Sequence, residues 1–177
     1  ERIKVTEPMD IINCAELNEV QLEVLRSLSI SKDQEEFGGT FAESLDASLS
    51  ETAGAVQGFC FVADNTPIGI VVLKRAPAAA VWVPKNAVSL HGFKIDIRWQ
   101  GKGLGKTALQ LAVETSTRTW PDAQQLVLAV DADNSAALAV YRSFGMTDSG
   151  PIYSGRIGQE HRLSMSISPI KTIRQPD

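Results

Sequence analysis

The chain has 177 residues, of which 44% are hydrophobic and 21% are charged, and its formal net charge is −4. These values are ordinary for one globular domain with a buried core, and the acidic balance argues against a nucleic-acid partner, which usually requires a basic surface. No apolar run approaches the roughly 18 residues that a membrane-spanning helix needs, so no membrane partner is expected.

The cysteines and histidines do not show the spacing of a disulfide or a metal site. Cys14 and Cys60 lie in apolar surroundings, which predicts buried free thiols and therefore a reducing, cytoplasmic compartment. His91 and His161 are far apart and lack cysteine or carboxylate partners at metal-ligand spacing, so no metal is expected.

The N-terminal part of the chain predicts an extended segment and two helices. Residues 3–9 have an extended pattern, and residues 18–21, Asn-Glu-Val-Gln, have the pattern of a capping box that starts a helix through Leu28. Residues 31–34, Ser-Lys-Asp-Gln, repeat this signal and predict a second helix that ends near Ser50. The apolar face of that helix would consist of residues four apart, namely Phe37, Phe41, Leu45 and Leu49.

The middle of the chain predicts a hairpin, an apolar loop and a long strand. Residues 56–63 and 68–73 have strand-like patterns, and the Asp-Asn-Thr-Pro sequence between them is typical of a turn. Residues 76–84 form an apolar loop between prolines, open to three interpretations: a pocket wall, a packed loop, or a contact in a homodimer. Residues 88–97 predict a strand that leads into a glycine-rich loop.

The C-terminal half predicts alternating helices and strands. Leu104, Ala108, Leu111 and Ala112 share one face of a helix that should end near Trp120. The further predictions are a buried strand at 126–130, a helix at 135–144 capped by Asn134 and closed by Gly145, strands at 152–153 and 161–167, and a loose tail at 171–177. This order predicts an α/β fold with one mixed sheet, in a single domain over residues 1–170.

The glycine loop, residues 100–106 (Gln-Gly-Lys-Gly-Leu-Gly-Lys), predicts an anion site. Glycines allow a close approach to backbone N–H groups, and the N-terminus of the following helix adds roughly half a positive charge. Lys102 and Lys106 add charge of the same sign. A ligand that carries phosphate is therefore expected.

Spacing distinguishes three kinds of glycine loop. A triphosphate loop would require glycine at position 100, where this chain has Gln100. The dinucleotide pattern Gly-x-Gly-x-x-Ala is met by Gly103, Gly105 and Ala108, but the bulky Arg-Trp-Gln run at 98–100 lies where that fold turns tightly. The third pattern, Gln/Arg-x-x-Gly-x-Gly/Ala, is met by Gln100, Gly103 and Gly105.

At these residues the sequence resembles the GNAT superfamily of acetyl-CoA-dependent N-acetyltransferases. A second stretch, residues 134–146, looks like that family's Asn-x-x-Ala-x-x-x-Tyr-x-x-x-Gly-Phe helix, with Met146 in place of the usual phenylalanine. The resemblance covers about residues 56–167. It implies a central, mostly antiparallel sheet with one splayed parallel pair and helices on both faces.

The resemblance also implies a reaction, the transfer of an acetyl group from acetyl-CoA to a primary amine in a ternary complex. The loop N–H groups would bind the pyrophosphate, the strand backbone would pair with pantetheine, and the Ile95 N–H would stabilise the oxyanion. The cofactor-binding residues implied in this way are Phe93, Ile95, Gln100, Gly101, Lys102, Gly103, Leu104, Gly105, Lys106 and Asn134.

Two residues are candidates for the proton transfers. Tyr141 stands where the family commonly places its general acid. His91 is a candidate general base, because strand alternation predicts that it faces the same side as Phe93 and Ile95 and because histidine titrates near neutral pH. By the same alternation Asp96 faces the opposite side and is expected to be structural.

The acceptor is not determined by these motifs. Asp131 and the acids of the second predicted helix are candidates for holding a substrate ammonium, although a solvated helix face equally explains those helix acids. A small amine is expected, and transfer to a protein N-terminus or lysine side chain is an alternative. A catalytically silent module that binds acyl-CoA is the alternative from another class.

Overall fold

The structure is a computed structural model that describes residues 8–50, 54–154 and 159–168. The helices are α1 (Glu19–Ser27), α2 (Lys32–Gly38), α3 (Phe41–Leu49), α4 (Leu104–Thr119) and α5 (Ser135–Phe144). The strands are β1 (Asp10–Asn13), β2 (Val56–Ala63), β3 (Thr66–Lys74), β4 (Ala87–Ile95), β5 (Gln125–Asp131), β6 (Thr147–Ser154) and β7 (Gln159–Ser166). The extended segment predicted at 3–9 lies largely outside the described residues, and the tail predicted at 171–177 lies wholly outside them.

Within the described residues the strands form one seven-stranded sheet in the order β1-β2-β3-β4-β5-β7-β6. Among these neighbours β4 and β5 are parallel and the other pairs are antiparallel. The parallel ladder joins only Ala87–Ser89 to Gln125–Val127, whereas β4 continues to Ile95 and β5 to Asp131. The two strands therefore diverge and leave a gap, which confirms the predicted splayed parallel pair.

Helices cover both faces of the sheet, as predicted. On one side, here called the α1–α3 face, Leu25 and Phe41 pack with Ile70 of β3 in one buried cluster. On the other side, the α4–α5 face, Leu109 and Tyr141 belong to the main core. Burying each large aliphatic or aromatic side chain stabilises the fold by roughly 1.5–3 kcal/mol. The two helix layers therefore hold the sheet in place, and with it the gap between β4 and β5.

Both predicted capping boxes are present, but the second predicted helix is in fact two helices. α2 ends at Gly38, and Gly39 has a φ of +70°, which takes the backbone out of the helical region. Thr40 then starts α3 with a capping box of its own. The prediction of one helix to Ser50 is therefore wrong, and Leu49, which is 44% exposed, does not continue its apolar face.

Cys14 and Cys60 are buried and free, which confirms the prediction for both thiols. Burial raises the pKa of the Cys14 thiol to about 12 and raises that of Cys60 further. Both side chains therefore stay protonated at neutral pH and act as small apolar residues rather than as nucleophiles. In the described part of the chain, no helix has the length and apolar character that crossing a bilayer would require.

Candidate active site

A β-bulge at Gly92 determines which way the side chains of β4 face. Opposite β3 the strand carries one extra residue between His91 and Lys94, and Gly92 accommodates it with a φ of +58°. Before the bulge, His91 lines a cavity under α3, and after it Phe93 packs against Tyr141 at a ring-centroid distance of 6.3 Å. The expectation that His91 faces the same side as Phe93 is therefore wrong, because simple alternation fails across a bulge.

The backbone of Ile95 faces the gap between β4 and β5. The Asp96 N–H donates to the Ile68 carbonyl at 2.8 Å, and Gly69 lies opposite Ile95. Hydrogen-bonded and non-hydrogen-bonded pairs alternate along an antiparallel ladder, so the Ile95 N–H and C=O point away from β3. Gln100 Nε2 donates to that carbonyl at 2.8 Å, and the N–H points into the gap.

The glycine loop leads from β4 into the first turn of α4. Gly101 and Gly103 have φ values of +71° and +76°, a region that strongly favours glycine. Gly105 needs no such conformation, and a Cβ added to it would meet no heavy atom within 4 Å. The packing of the protein therefore does not explain Gly105, whereas an anion that approaches the start of this 16-residue helix closely would explain it.

The charge and the N–H groups of the loop suit an anion. Gly103 is the N-cap of α4, and because glycine has no side chain it makes no capping hydrogen bond to the first N–H groups of the helix. Lys106 is exposed on the first turn, and Lys102 Nζ donates to the Arg98 carbonyl at 2.9 Å, which holds its charge beside the loop.

Asp96 fastens the loop to the segment between α1 and α2, and Gln100 fastens it to the first turn of α2. The Asp96 carboxylate is buried and accepts hydrogen bonds from Ser29 N–H at 3.0 Å and from Arg98 N–H and Nε at 3.1 and 2.7 Å. Gln100 exchanges two side-chain hydrogen bonds with Gln34 at 3.1 and 3.3 Å. These contacts agree with the structural role expected for Asp96.

Tyr141 and Asn134 are placed by α5. The Asn134 side chain accepts a hydrogen bond from Ala137 N–H at 3.2 Å, and Gly145 closes the helix with a φ of +110°, so both predicted caps are present. Tyr141 is buried beside Phe93, and this burial raises the pKa of its hydroxyl well above the ordinary value. The phenol is therefore protonated at neutral pH and can donate a proton.

His91 lies in a cavity of about 180 Å³ between α3 and β4. Its Nε2 is 2.7 Å from Ser89 Oγ. Burial, with a smaller contribution from the Lys74 charge, lowers the pKa of His91 to about 4, so the imidazole is neutral at pH 7. Lys94 lies beside the cavity and donates from Nζ to Ser44 Oγ at 2.6 Å. Burial lowers the pKa of Lys94 to about 8, although the Glu43 charge opposes that effect.

Asp131, Glu160 and Arg162 lie across the gap from His91. Asp131 is opposite Glu160 in the β5–β7 ladder, and Arg162 is two residues further along β7 on the same face. Val127 is four residues before Asp131 and therefore lies on the same face of β5. It pairs with Ser89 and packs with Trp82, so this face is the α1–α3 face. Sequence reasoning selected Asp131 but missed the other two, because their position depends on the register of β7.

Each of these three side chains has a buried polar atom without a hydrogen-bond partner in the described part of the chain. The atoms are Asp131 Oδ1, Glu160 Oε2 and Arg162 Nε. The Arg162 guanidinium also lies over the Trp82 ring at 5.8 Å from its centroid. Buried polar atoms are nearly always paired in proteins, so three in one place indicate a functional role or a missing partner.

A larger cavity, of about 340 Å³, lies between β1 and the C-terminal end of α4, where Ile12, Gln57 and Arg118 line it. It contains none of the residues selected from the sequence, and it is remote from the glycine loop at the other end of α4. Among the described residues, no group of three His, Cys, Asp or Glu side chains is placed to hold a metal ion.

The family model described as acetyltransferase (GNAT) family matches residues 23–146. This range includes the glycine loop and the whole of α5 with Tyr141. The chain belongs to this family and is accordingly an acyltransferase. A comparison with functionally curated proteins gave no significant match.

Solved structures share the fold over most of the chain. A spermidine N-acetyltransferase from Vibrio cholerae, in complex with CoA and spermine, has a TM-score of 0.66 at 18% identity over 90% of this chain and 95% of that chain. An acetyltransferase from Bacillus subtilis, in complex with CoA, has a TM-score of 0.60 at 17% identity over 90% and 99%. The N-acetyltransferase PseH from Campylobacter jejuni has a TM-score of 0.58 at 15% identity over 89% and 97%. At these identities the likeness shows the fold.

Proposed function

We propose that the protein transfers an acetyl group from acetyl-CoA to the primary amine of a small molecule by direct attack in a ternary complex. The observation that carries the proposal is the geometry of one edge of the gap. A glycine loop that opens the N-terminus of α4 lies next to a strand whose Ile95 N–H points into the space between β4 and β5.

Each part of acetyl-CoA has a matching feature in this arrangement. The pyrophosphate would bind the N–H groups of residues 101–106, Leu104 included, with Lys102 and Lys106 close by. The amides of pantetheine would pair with the backbone of Phe93 and Ile95 along the open side of β4. The thioester would then lie in the gap, where the Ile95 N–H would stabilise the developing oxyanion, and Asn134 stands at the start of α5 on the far side.

The acceptor would enter from the α1–α3 face. Because the glycine loop leads into α4, the cofactor would reach the gap from the α4–α5 side, which leaves the opposite side for the amine. His91 borders the gap there, and Asp131 and Glu160 stand across it with buried oxygens that have no partner in the described residues. The fold shared with a spermidine N-acetyltransferase solved with spermine supports a small amine as the acceptor.

The two pKa shifts set the protonation states from which the proton transfers would start, namely a neutral His91 and a protonated Tyr141. The acceptor ammonium must lose a proton before attack, and neutral His91 would accept it directly or through water. The amine nitrogen then bonds to the thioester carbon and the C–S bond breaks. Tyr141, whose raised pKa keeps it protonated, would give its proton to the departing thiolate. The bonded nitrogen still carries two hydrogens and loses one as the amide forms, and that proton would return to the Tyr141 oxygen, directly or through water. The products are the N-acetylated amine, CoA and the proton that His91 holds.

Calorimetry and a thiol-release assay test the proposal together. Titration with acetyl-CoA should release or absorb heat with saturation, whereas ATP and NAD should not bind, because the loop spacing excludes the first and disfavours the second. The absence of acetyl-CoA binding at millimolar ligand would contradict the proposal. Binding without thiol release for any amine or peptide would indicate instead a silent acyl-CoA-binding module.

A further inference from the structure

The cavity between α3 and β4 carries a positive charge that nothing in the described part of the chain pairs. Lys74 lines the cavity and takes part in none of the ion pairs found among those residues. Its charge reaches His91, since it contributes to lowering the pKa of that imidazole. The charge of Lys94, by contrast, interacts with Glu43, which raises the pKa of Lys94 against the effect of burial.

Besides Lys74, the polar side chains that line the cavity are the Glu43 carboxylate, the Ser44 hydroxyl and the neutral His91 imidazole. A lysine ammonium can only donate, so Ser44 Oγ accepts from Lys94 Nζ, and the Ser44 hydroxyl proton is left to donate elsewhere. One carboxylate oxygen of Glu43 accepts from the Thr40 N–H at 2.7 Å as part of the α3 capping box, which commits it to the helix start. The Lys74 ammonium and the Ser44 hydroxyl therefore face a ligand as donors.

This arrangement does not match a polyamine. A polyamine offers only cationic N–H donors, which would place an ammonium group beside Lys74 and leave the Ser44 hydroxyl without an acceptor. An acid group offers the opposite, namely negative charge for Lys74 and oxygen acceptors for both donors. The Lys74 charge therefore favours an acid group over a polyamine in this cavity.

We propose that this cavity binds the carboxylate of the acceptor, so that the substrate is an amine that also carries an acid group, such as a diamino acid. The inference rests on the proposed acetyl transfer and names the substrate class of the same site. Lys74 and Ser44 hold the carboxylate, while His91 and the acids across the gap face the amine.

The separation of the two subsites sets the length of the acceptor. Lys74 is on β3, and the gap lies on the far side of β4. Lys74 and the gap are therefore one to two strand spacings apart, roughly 5–10 Å. A cavity of about 180 Å³ has room for a carboxylate and a few carbons. The reacting amine of such an acceptor therefore lies several bonds from its acid group, as in ornithine or lysine.

Matched acceptors isolate the carboxylate. Ornithine and putrescine differ only in the carboxylate, as do lysine and cadaverine, and spermidine represents the polyamines. In thiol-release assays at saturating acetyl-CoA, kcat/KM for the amino acid should exceed that for its decarboxylated partner by at least tenfold. A preference for putrescine, cadaverine or spermidine, or no acetylation of either amino acid, would overturn the inference.

Variants of Lys74 provide the second arm. Lys74→Met should raise KM for ornithine about tenfold or more and leave KM for putrescine within about twofold, while any change in kcat that acts through His91 should be shared by both acceptors. Lys74→Glu should reverse the preference. Lys85→Met, a change at an exposed loop lysine, is the matched control and should alter neither. If Lys74→Met weakens both members of a pair equally, Lys74 does not bind the acid group and the inference fails.

Calorimetry with acetyl-CoA separates this failure from that of the proposed function. Each Lys74 variant should bind acetyl-CoA with the affinity of the unaltered protein, which also shows that it is folded. Normal acetyl-CoA binding with the wrong acceptor preference overturns only the carboxylate site. If acetyl-CoA does not bind the unaltered protein, the proposed function fails and the inference fails with it.

Discussion

His91 and Phe93 are two residues apart on β4 but face opposite sides of the sheet, because Gly92 forms a bulge between them. His91 lies in the cavity beneath α3, and Phe93 contacts the Tyr141 ring on the other side. This short stretch of β4 thus places the neutral His91 imidazole on one face of the sheet. On the other face it places Phe93, which contacts the protonated Tyr141. In the proposed mechanism both side chains act at the gap beside β4, His91 on the acceptor amine and Tyr141 on the departing thiolate.

The buried imidazole should make stability depend on pH. The pKa of His91 is about 4 in the folded protein and about 6.5 when unfolded, so below pH 6.5 the unfolded chain binds a proton that the folded chain does not. The free energy of unfolding should therefore fall as pH drops from about 6.5 to 4, by up to about 3 kcal/mol. Urea unfolding at pH 7 and pH 5 measures the loss. In His91→Gln this part of the pH dependence should disappear; an unchanged pH dependence would contradict the shifted pKa.

Sequence patterns were sufficient for the parts of the site that depend on local chemistry. Asn134 and Gly145 cap α5 because an amide side chain and a left-handed glycine are the local solutions for helix ends. The glycine loop and its helix follow for the same reason. Gly92 could not be recognised as a bulge, because a bulge is a mismatch between two strands and depends on the register of β3. Glu160 and Arg162 were missed because only the β5–β7 pairing brings them to the gap.

The break between α2 and α3 illustrates the same limit. The four-residue spacing from Phe37 to Leu49 is a helical pattern, yet Gly39 and Thr40 separate two short helices, each with its own capping box. Apolar periodicity measures which residues can share a face, whereas the caps decide where each helix begins. Thr40 and Glu43 were available as a third capping signal, and the pattern Thr-x-x-Glu would have predicted the break.

Substitution of Gly105 should separate stability from cofactor binding. Alanine fits the open space at this helical position and has a higher helix propensity, so Gly105→Ala should stabilise the fold by about 0.5–1 kcal/mol. If a phosphate approaches this turn closely, the added methyl group should weaken acetyl-CoA binding by about tenfold or more. Thermal unfolding and calorimetry measure the two effects. Gly101→Ala is the comparison, because its φ of +71° makes the same change destabilising. Unaltered affinity in Gly105→Ala would place the phosphate elsewhere.

Removal of the Asp96 carboxylate should release the glycine loop from the segment between α1 and α2. Asp96→Ala leaves the Ser29 N–H without its acceptor in a buried position, so we expect a loss of about 3 kcal/mol in the free energy of unfolding. Acetyl-CoA affinity should also fall, since Arg98 and the loop lose their anchor. Asp122→Ala, which removes a surface partner of Arg75, is the control and should change both quantities little. Equal effects of the two substitutions would mean that Asp96 does not anchor the loop.

Replacement of Tyr141 should affect turnover and not cofactor affinity. Tyr141→Phe removes the only group in the proposed mechanism that gives a proton to the CoA thiolate, so kcat should fall by about 100-fold. The ring remains and continues to pack against Phe93, so the free energy of unfolding and the affinity for acetyl-CoA should stay close to those of the unaltered protein. Thiol-release assays at saturating acceptor give kcat, and calorimetry gives the affinity. A fall in affinity that accounts for the lost activity would make Tyr141 a binding residue, and unchanged turnover would remove it from the acid role.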